Sequence, residues 1–101
     1  MDESMQLGGN IELSGFGDID GASMVVLKKI IGNYGRRMSE ISSKFEKLSV
    51  AMKPVDDEES KKFEIHAELI NDGKPFTSET MEKNLFVAVD NALKKIVNDI
   101  S

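Results

Sequence analysis

The chain contains no cysteine and only one histidine, His66. Without cysteine it cannot form disulfides, a thiol nucleophile or a thiolate zinc site, and a reducing cytoplasm is its expected location. A lone imidazole lacks the second and third protein ligands that zinc requires. We therefore expect no metal site, and we interpret His66 as a solvated strand residue between Glu64 and Glu68.

Long apolar runs are also absent. No run approaches the ~18 residues that cross a membrane, and the N-terminus lacks the basic and apolar regions of a signal peptide. The chain likewise has no Ser/His/Asp set, phosphate-binding loop or dinucleotide-binding glycine motif. These absences predict a non-enzymatic protein that has no catalytic residues and binds no cofactor, small-molecule substrate or membrane.

What the chain does have is an uneven distribution of charge. Its 101 residues carry a formal net charge of −5, yet the segment 22–53 holds seven basic residues and two acidic ones. Such segregation focuses a positive field on one side of an acidic protein, and it predicts a local contact with a polyanion. The competing interpretation is that a helix is charged on its wet face for solubility alone. Solvent-exposed helix faces ordinarily carry charges of both signs, so a face that is mainly basic favours the functional interpretation.

Apolar spacing predicts a long first helix. From Ala22 the apolar residues recur at helical intervals as far as Phe45, and the pattern continues across Gly32 and Gly35. Ser42 and Ser43 mark the expected end of the helix. Asp20 is a suitable N-cap, because its carboxylate can accept hydrogen bonds from the free amides of the first turn. The complementary arc of this helix is basic and comprises Lys28, Lys29, Arg36, Arg37 and Lys44.

Alternating apolar residues define the other elements. They predict strands at 10–16, 48–53, 61–70 and 74–79, an Asn71-Asp72-Gly73 hairpin, and a second helix from after Thr80 to the end. Pro54 closes the second strand, and an acidic loop follows at 55–60. The expected fold is α+β, in the order β-α-β-β-β-α, with two helices packed on one face of a four-stranded sheet. Residues 10–101 form this single domain, after a flexible acidic lead-in at 1–9.

One short motif inside the first helix has two interpretations. The segment Ile31-Gly32-Asn33-Tyr34-Gly35-Arg36-Arg37 resembles the G-x-x-G loop of KH domains, in which a glycine turn between two helices clamps a nucleic-acid backbone. The alternative is a continuous helix whose glycines permit close approach to another element.

The last third of the chain resembles a known family. A strand that ends in Asp72-Gly73-Lys74, a returning strand, and then the run from Phe86 to Lys95 are similar to the short ribosome hibernation-promoting factors and ribosome-associated inhibitors. The family's last helix has an aromatic residue followed by an apolar-Ala-apolar-Asp-x-Ala-apolar-x-Lys pattern, which Phe86 to Lys95 reproduces. The upstream part, from Ile11 to Lys53, fits the family more loosely.

This resemblance implies a fold similar to a double-stranded RNA-binding domain and a role on the ribosome. Members of the family bind in the decoding channel of the small subunit, contact ribosomal RNA, and block mRNA and tRNA while growth is slow. Carried over by position, the RNA contacts are Lys28, Lys29, Arg36 and Arg37 on the first helix and Lys83, Lys94 and Lys95 on the second. Lys44, on the basic arc of the first helix, is the eighth predicted RNA contact. The expected partner is the small ribosomal subunit with its rRNA. The oligomeric state stays open, with a monomer as the expectation.

Two other functions stay open on the sequence. One is single-strand binding by a KH-like loop at Gly32 to Gly35, and the other is a protein-interaction module with no RNA contact. Alternation also turns Lys47 and Lys53 to the wet face of the sheet, where Glu64 and Glu68 can pair with them.

Overall fold

The computed structural model describes residues 5–8, 10–56 and 60–101, and it gives side-chain positions from residue 10 onward. The chain forms β1 (Met5–Gly8), β2 (Ile11–Ser14), α1 (Gly21–Ile41), β3 (Phe45–Asp56), β4 (Lys61–Asn71), β5 (Lys74–Glu82) and α2 (Leu85–Ile100). The five strands lie in the order β1-β2-β3-β4-β5 within one sheet. The predicted α+β fold is therefore confirmed, with one additional strand at its N-terminal edge.

The sheet is mixed because α1 lies between β2 and β3 in the chain. A connection of this length lets the second strand return parallel to the first, and Leu13 accordingly lies opposite Val50 in a parallel pair. The other three strand pairs are antiparallel. One face of the sheet and the inner faces of both helices share a single core, in which Leu13, Leu27 and Leu93 are fully buried. The opposite face is open.

β1 is the strand that the sequence did not predict. The lead-in at 1–9 was expected to be flexible, but Met5–Gly8 pairs antiparallel with β2 at the edge of the sheet. Met5 and Leu7 alternate with Gln6 and Gly8, but over only four residues, which is too short a pattern to identify a strand by itself. Its pairing with β2 therefore defines it. Residues 1–4 and 9, the rest of that lead-in, lie outside the described residues.

The predicted end of α1 at Ser42 and Ser43 is confirmed, because Ser42 is its C-cap, whereas β3 begins earlier than predicted. The helix stops at Ile41, where Ser42 is extended, so Lys44 and Phe45 do not belong to the helical arcs assigned to them. The Lys44 N–H donates to the side-chain oxygen of Asn71 at 2.9 Å, and the Lys44 carbonyl accepts from Asp72 at 2.9 Å. These bonds to the β4–β5 hairpin hold Lys44 outside the helix.

Pro54 does not close β3, contrary to the prediction. The strand continues to Asp56, and Pro54 lies opposite Phe63 of β4. β2 ends at Ser14, opposite Ala51, so its described pairing with β3 stops before Pro54. A residue without an N–H is tolerated there, because no donor is needed on that side. Residues 57–59 of the predicted acidic loop lie outside the described residues.

α2 also begins later than predicted. β5 continues through Thr80 to Glu82, and the helix starts at Leu85. Asn84 is the N-cap, because its side-chain oxygen accepts from the amides of Phe86 at 2.9 Å and Val87 at 3.2 Å. β5 is longer than predicted because Thr80 belongs to it. The buried Thr80 hydroxyl donates to the Ala88 carbonyl at 2.8 Å, and this bond docks α2 onto β5.

α1 is one continuous helix, so the KH-like interpretation of its glycines is wrong. Gly35 is buried, and a Cβ at that position would lie 2.5 Å from Cδ1 of Ile11 on β2. Gly32 faces open space. One of the two glycines therefore permits close packing of α1 on the sheet. Asp20 is confirmed as the N-cap, and the 3.0 Å hydrogen bond from the Ser23 amide lowers the pKa of its carboxyl group.

Candidate nucleic-acid interface

α1 presents a positively charged surface, which we call the α1 basic strip. Its members are Lys28, Lys29, Arg36 and Arg37. All four side chains are exposed, and none forms an ion pair within the described residues. The helix contains a single acidic residue, Glu40. The sequence prediction that the basic residues of α1 lie away from its buried side is therefore confirmed for these four residues.

The residues of the α1 basic strip point in different directions around the helix, and only Arg37 lies on the side that faces α2. Tyr34 marks the side of α1 that contacts α2. Arg37 follows three residues later on the same side, and its positive charge acts on the Tyr34 hydroxyl. At about 100° per residue, Lys28, Lys29 and Arg36 are rotated about 120° or more away from Tyr34. The side of α1 away from α2 thus carries most of the strip.

The three basic residues predicted near α2 have different surroundings. Lys94 lies 3.6 Å from the carboxylate of Asp90 one turn earlier in the helix. The Lys95 ammonium donates to the Glu79 carbonyl of β5 at 3.4 Å. Lys83 precedes the helix and lines a depression between the N-terminal ends of α1 and α2. Only Lys94 among them lies beside the contact between the two helices.

Asp90 lies on α2 where the two helices meet, and the sequence did not predict its role there. The Tyr34 hydroxyl donates to its carboxylate at 2.7 Å, joining α1 to α2. Burial raises the pKa of Tyr34 to about 12, and the hydrogen bond and negative charge of Asp90 act in the same direction, while Arg37 opposes them. The four-residue spacing of Asp90 and Lys94 was the available signal, since such pairs are neighbours on a helix.

The eight predicted RNA contacts therefore do not form one continuous surface. Lys44 lies at the β4–β5 hairpin, at the C-terminal end of α1. Lys83 lies near the N-terminal ends of both helices. The structure brings together the four residues of the α1 basic strip, and it places Lys94 next to an acid.

The predicted position of Lys47 and Lys53 on the open face is correct, but the predicted partner of Lys47 is not. Lys47 lies 3.5 Å from Glu12 of β2, the strand parallel to its own. Lys53 lies directly opposite Glu64 in the β3–β4 register, whereas Glu68 lies opposite Ser49. These lysines belong to a mixed-charge face and lie on the side of the sheet opposite the helices.

His66 lies on this open face between two carboxylates. Its Nε2 atom is 3.4 Å from Glu64 of the same strand, and its Nδ1 atom is 3.6 Å from Glu79 of β5. The side chain is 51% exposed, as expected for a solvated strand residue. The sequence pattern identified Glu64, but Glu79 is a cross-strand neighbour that only the β4–β5 register reveals. Both contacts become ion pairs when the imidazole is protonated.

No protein-family model matches the chain, and no curated protein matches it. Within the described residues, no helix is both long enough and apolar enough to cross a membrane.

Proposed function

We propose that this protein is a non-catalytic, ribosome-associated factor that binds rRNA of the small subunit and blocks the decoding channel. The observation that carries the proposal is the α1 basic strip, in which four exposed cations of one helix form no ion pair with any described residue, in a protein with net charge −5. The resemblance of Phe86 to Lys95 to the last helix of hibernation factors directs the proposal toward the ribosome.

The binding mechanism is electrostatic. Each phosphate neutralised by a lysine or arginine releases condensed counterions, which favours association and makes the affinity depend on salt. The acidic remainder of the chain turns the helical side toward the RNA, because a separated charge distribution orients the molecule in the field of a polyanion. A bound domain of this size then excludes mRNA and tRNA sterically.

The contribution of each basic residue follows from its surroundings. Lys28, Lys29 and Arg36 have no ion-pair partner among the residues that the structure describes, and they form the principal contact. Arg37 joins them at the boundary with α2. Lys94 contributes less, because Asp90 lies 3.6 Å from its ammonium group. Lys83, at the end of the helical layer, extends the contact in one direction.

Ribosome cosedimentation at low and high salt tests the proposal. Wild-type protein is expected to bind small subunits at low salt and to dissociate as the salt concentration rises. The double substitution Lys28→Gln and Lys29→Gln weakens binding and lowers the salt dependence. The matched control, Lys53→Gln with Lys62→Gln, removes the same charge from the open face and leaves binding unchanged.

Three results would contradict the proposal: no binding at low salt, binding that is indifferent to salt, or an equal loss of binding in the control variant. A protein-interaction module without RNA contact is distinguished by a separate variant. Replacement of Arg36, Arg37, Lys94 and Lys95 by glutamate leaves the binding of such a module unchanged, whereas it abolishes binding to RNA. Inhibition of cell-free translation by the wild type, and not by this variant, supports the ribosomal role.

A further inference from the structure

The outer edge of β5 is an unpaired strand edge. β5 is the last strand of the sheet order, and no strand of the described residues pairs with its outer side. The strand is nine residues long, from Lys74 to Glu82. Exposed edges of this length offer a row of backbone donors and acceptors to another strand.

The hairpin before β5 determines which residues direct their backbone groups outward. Asp72 and Gly73 both have positive φ, 54° and 75°, as in a two-residue type I′ turn. The residues flanking such a turn, Asn71 and Lys74, form a hydrogen-bonded pair, and alternate residues of β5 then bond to β4. The residues whose backbone groups face outward are therefore Pro75, Thr77, Glu79 and Met81.

Two contacts agree with this assignment. The Lys95 ammonium reaches the Glu79 carbonyl at 3.4 Å, which requires that this carbonyl face away from β4. Pro75 has no N–H to donate and lies at an outward position, where β4 does not need one. The backbone groups of Ser78 and Thr80 face β4, and the hydroxyls of both residues donate to carbonyls of α2.

We propose that the β5 edge pairs with β5 of a second copy of this chain. The two strands run antiparallel about a two-fold axis at Ser78, and the two sheets become one. In this register Thr77 lies opposite Glu79 of the second copy, and Pro75 lies opposite Met81. Each outward-facing residue meets an outward-facing residue, as an antiparallel ladder requires.

Charge selects this register over its neighbours. With the axis at Ser78, Lys74 lies opposite Glu82 of the second copy, and the two-fold symmetry repeats this pair at the other end of the interface. An axis at Glu79 places that carboxylate against its own copy, and like charges directly opposite each other are destabilising. An axis at Thr77 leaves Lys74 opposite Thr80. Lys74 and Glu82 are both exposed, and neither forms an ion pair within the described residues.

The association is expected to be weak and dependent on concentration. A single strand pairing buries less than the ~1,600 Å² of a standard stable interface. Lys95 also covers the Glu79 carbonyl in the monomer, and the Thr77 amide of the second copy takes its place in the dimer. A lysine that covers a strand edge in this way limits uncontrolled pairing with other strands. The proposal is independent of RNA binding, because β5 contains none of the residues of the α1 basic strip.

Sedimentation velocity over a concentration series, up to about 1 mM, tests the dimer. The expected result is a rise in mass from the monomer value of 11.2 kDa to twice that value. Lys74→Glu and Glu82→Lys each weaken association roughly tenfold, because each places like charges opposite each other at both ends. The double variant restores association, because the exchanged charges pair again. Lys53→Glu, on the open face of β3, is the matched control and leaves association unchanged.

A backbone variant provides a second test. Thr77→Pro removes one outward N–H and no hydrogen bond within the chain, so the variant folds and stays monomeric. In the wild type, amide exchange at Thr77, Glu79 and Met81 slows as the protein concentration increases. A wild type that is monomeric throughout the series overturns the proposal. So does association that survives Thr77→Pro or that the double charge exchange does not restore.

Discussion

The hydroxyl of Tyr34 donates a 2.7 Å hydrogen bond to the carboxylate of Asp90, and this contact joins α1 to α2 at the boundary of the surface proposed to bind RNA. The same carboxylate lies 3.6 Å from Lys94. One acidic residue therefore links the two helices and neutralises part of the charge of α2. Structural stability and charge for RNA binding are in conflict at Asp90.

Tyr34 is the only tyrosine in the chain, so phenolate absorbance reports on this residue alone. The native protein is expected to titrate at about 12, because burial and Asp90 both disfavour the phenolate. In denaturant the midpoint returns to about 10, the ordinary pKa of tyrosine. Asp90→Asn lowers the native value and leaves it above 10, since burial remains. A native midpoint of 10 contradicts the buried contact.

Removal of the hydroxyl by Tyr34→Phe lowers the free energy of unfolding by about 1 kcal/mol at neutral pH, the typical net value of one hydrogen bond. The raised pKa determines how this difference depends on pH. The neutral hydroxyl stabilises the folded state fully below about pH 10, and this contribution is lost as the pH rises toward 12. Urea unfolding of both proteins across this range measures it. A difference that grows with pH contradicts the assignment.

Asp90→Asn also tests the proposed RNA surface. The substitution keeps a hydrogen-bond acceptor for Tyr34, removes one negative charge and frees Lys94. If the helices bind rRNA, the affinity for small subunits increases several-fold. The slope of log affinity against log salt concentration also becomes steeper, by up to about the amount that one phosphate contact contributes. The control is Glu68→Asn on the open face, which makes the same change in net charge. Equal effects of the two substitutions indicate a response to net charge alone.

The two glycines of α1 are expected to respond differently to substitution by alanine. Gly32→Ala raises the free energy of unfolding by about 1 kcal/mol, because alanine is the better helix former and the position faces open space. Gly35→Ala gains the same propensity, but its Cβ lies 2.5 Å from Ile11 and forces that side chain to move. Its unfolding free energy is therefore lower than that of Gly32→Ala. Chemical denaturation of the pair measures the difference.

Gly15 and Gly73 form a second matched pair. Both have positive φ, 81° and 75°, so an alanine at either position is strained by roughly 1–2 kcal/mol. At Gly15 the new Cβ would also collide with the Met52 carbonyl oxygen, whereas Gly73 faces open space. Gly15→Ala is therefore expected to lower the melting temperature considerably more than Gly73→Ala. Similar losses for both variants contradict the close packing of the β2–α1 turn on β3.

Local patterns predicted most of the elements but not their ends. The period of two in β4 and of 3.6 in both helices correctly identified most of the buried side chains, because burial of one face creates that period. Ile41 is an exception, since it lies on the predicted apolar arc but is exposed. The boundaries failed where distant residues decide them. Lys44 leaves the helix because Asn71 and Asp72 bind its backbone, and Thr80 stays in a strand because its hydroxyl bonds to α2. Neither interaction is visible in the local sequence.

For the candidate site, the sequence alone determined the type of charge on α1 and the side of the helix that exposes it, since both follow from composition and helical spacing. Tertiary structure decided which charges remain free. The docking of α2 placed Asp90 between Tyr34 and Lys94, and β5 brought its Glu79 carbonyl to Lys95. The strand register likewise decided the outward groups of β5. Pairing of charges and backbone groups depends on distances between elements far apart in the chain, and packing alone sets those distances.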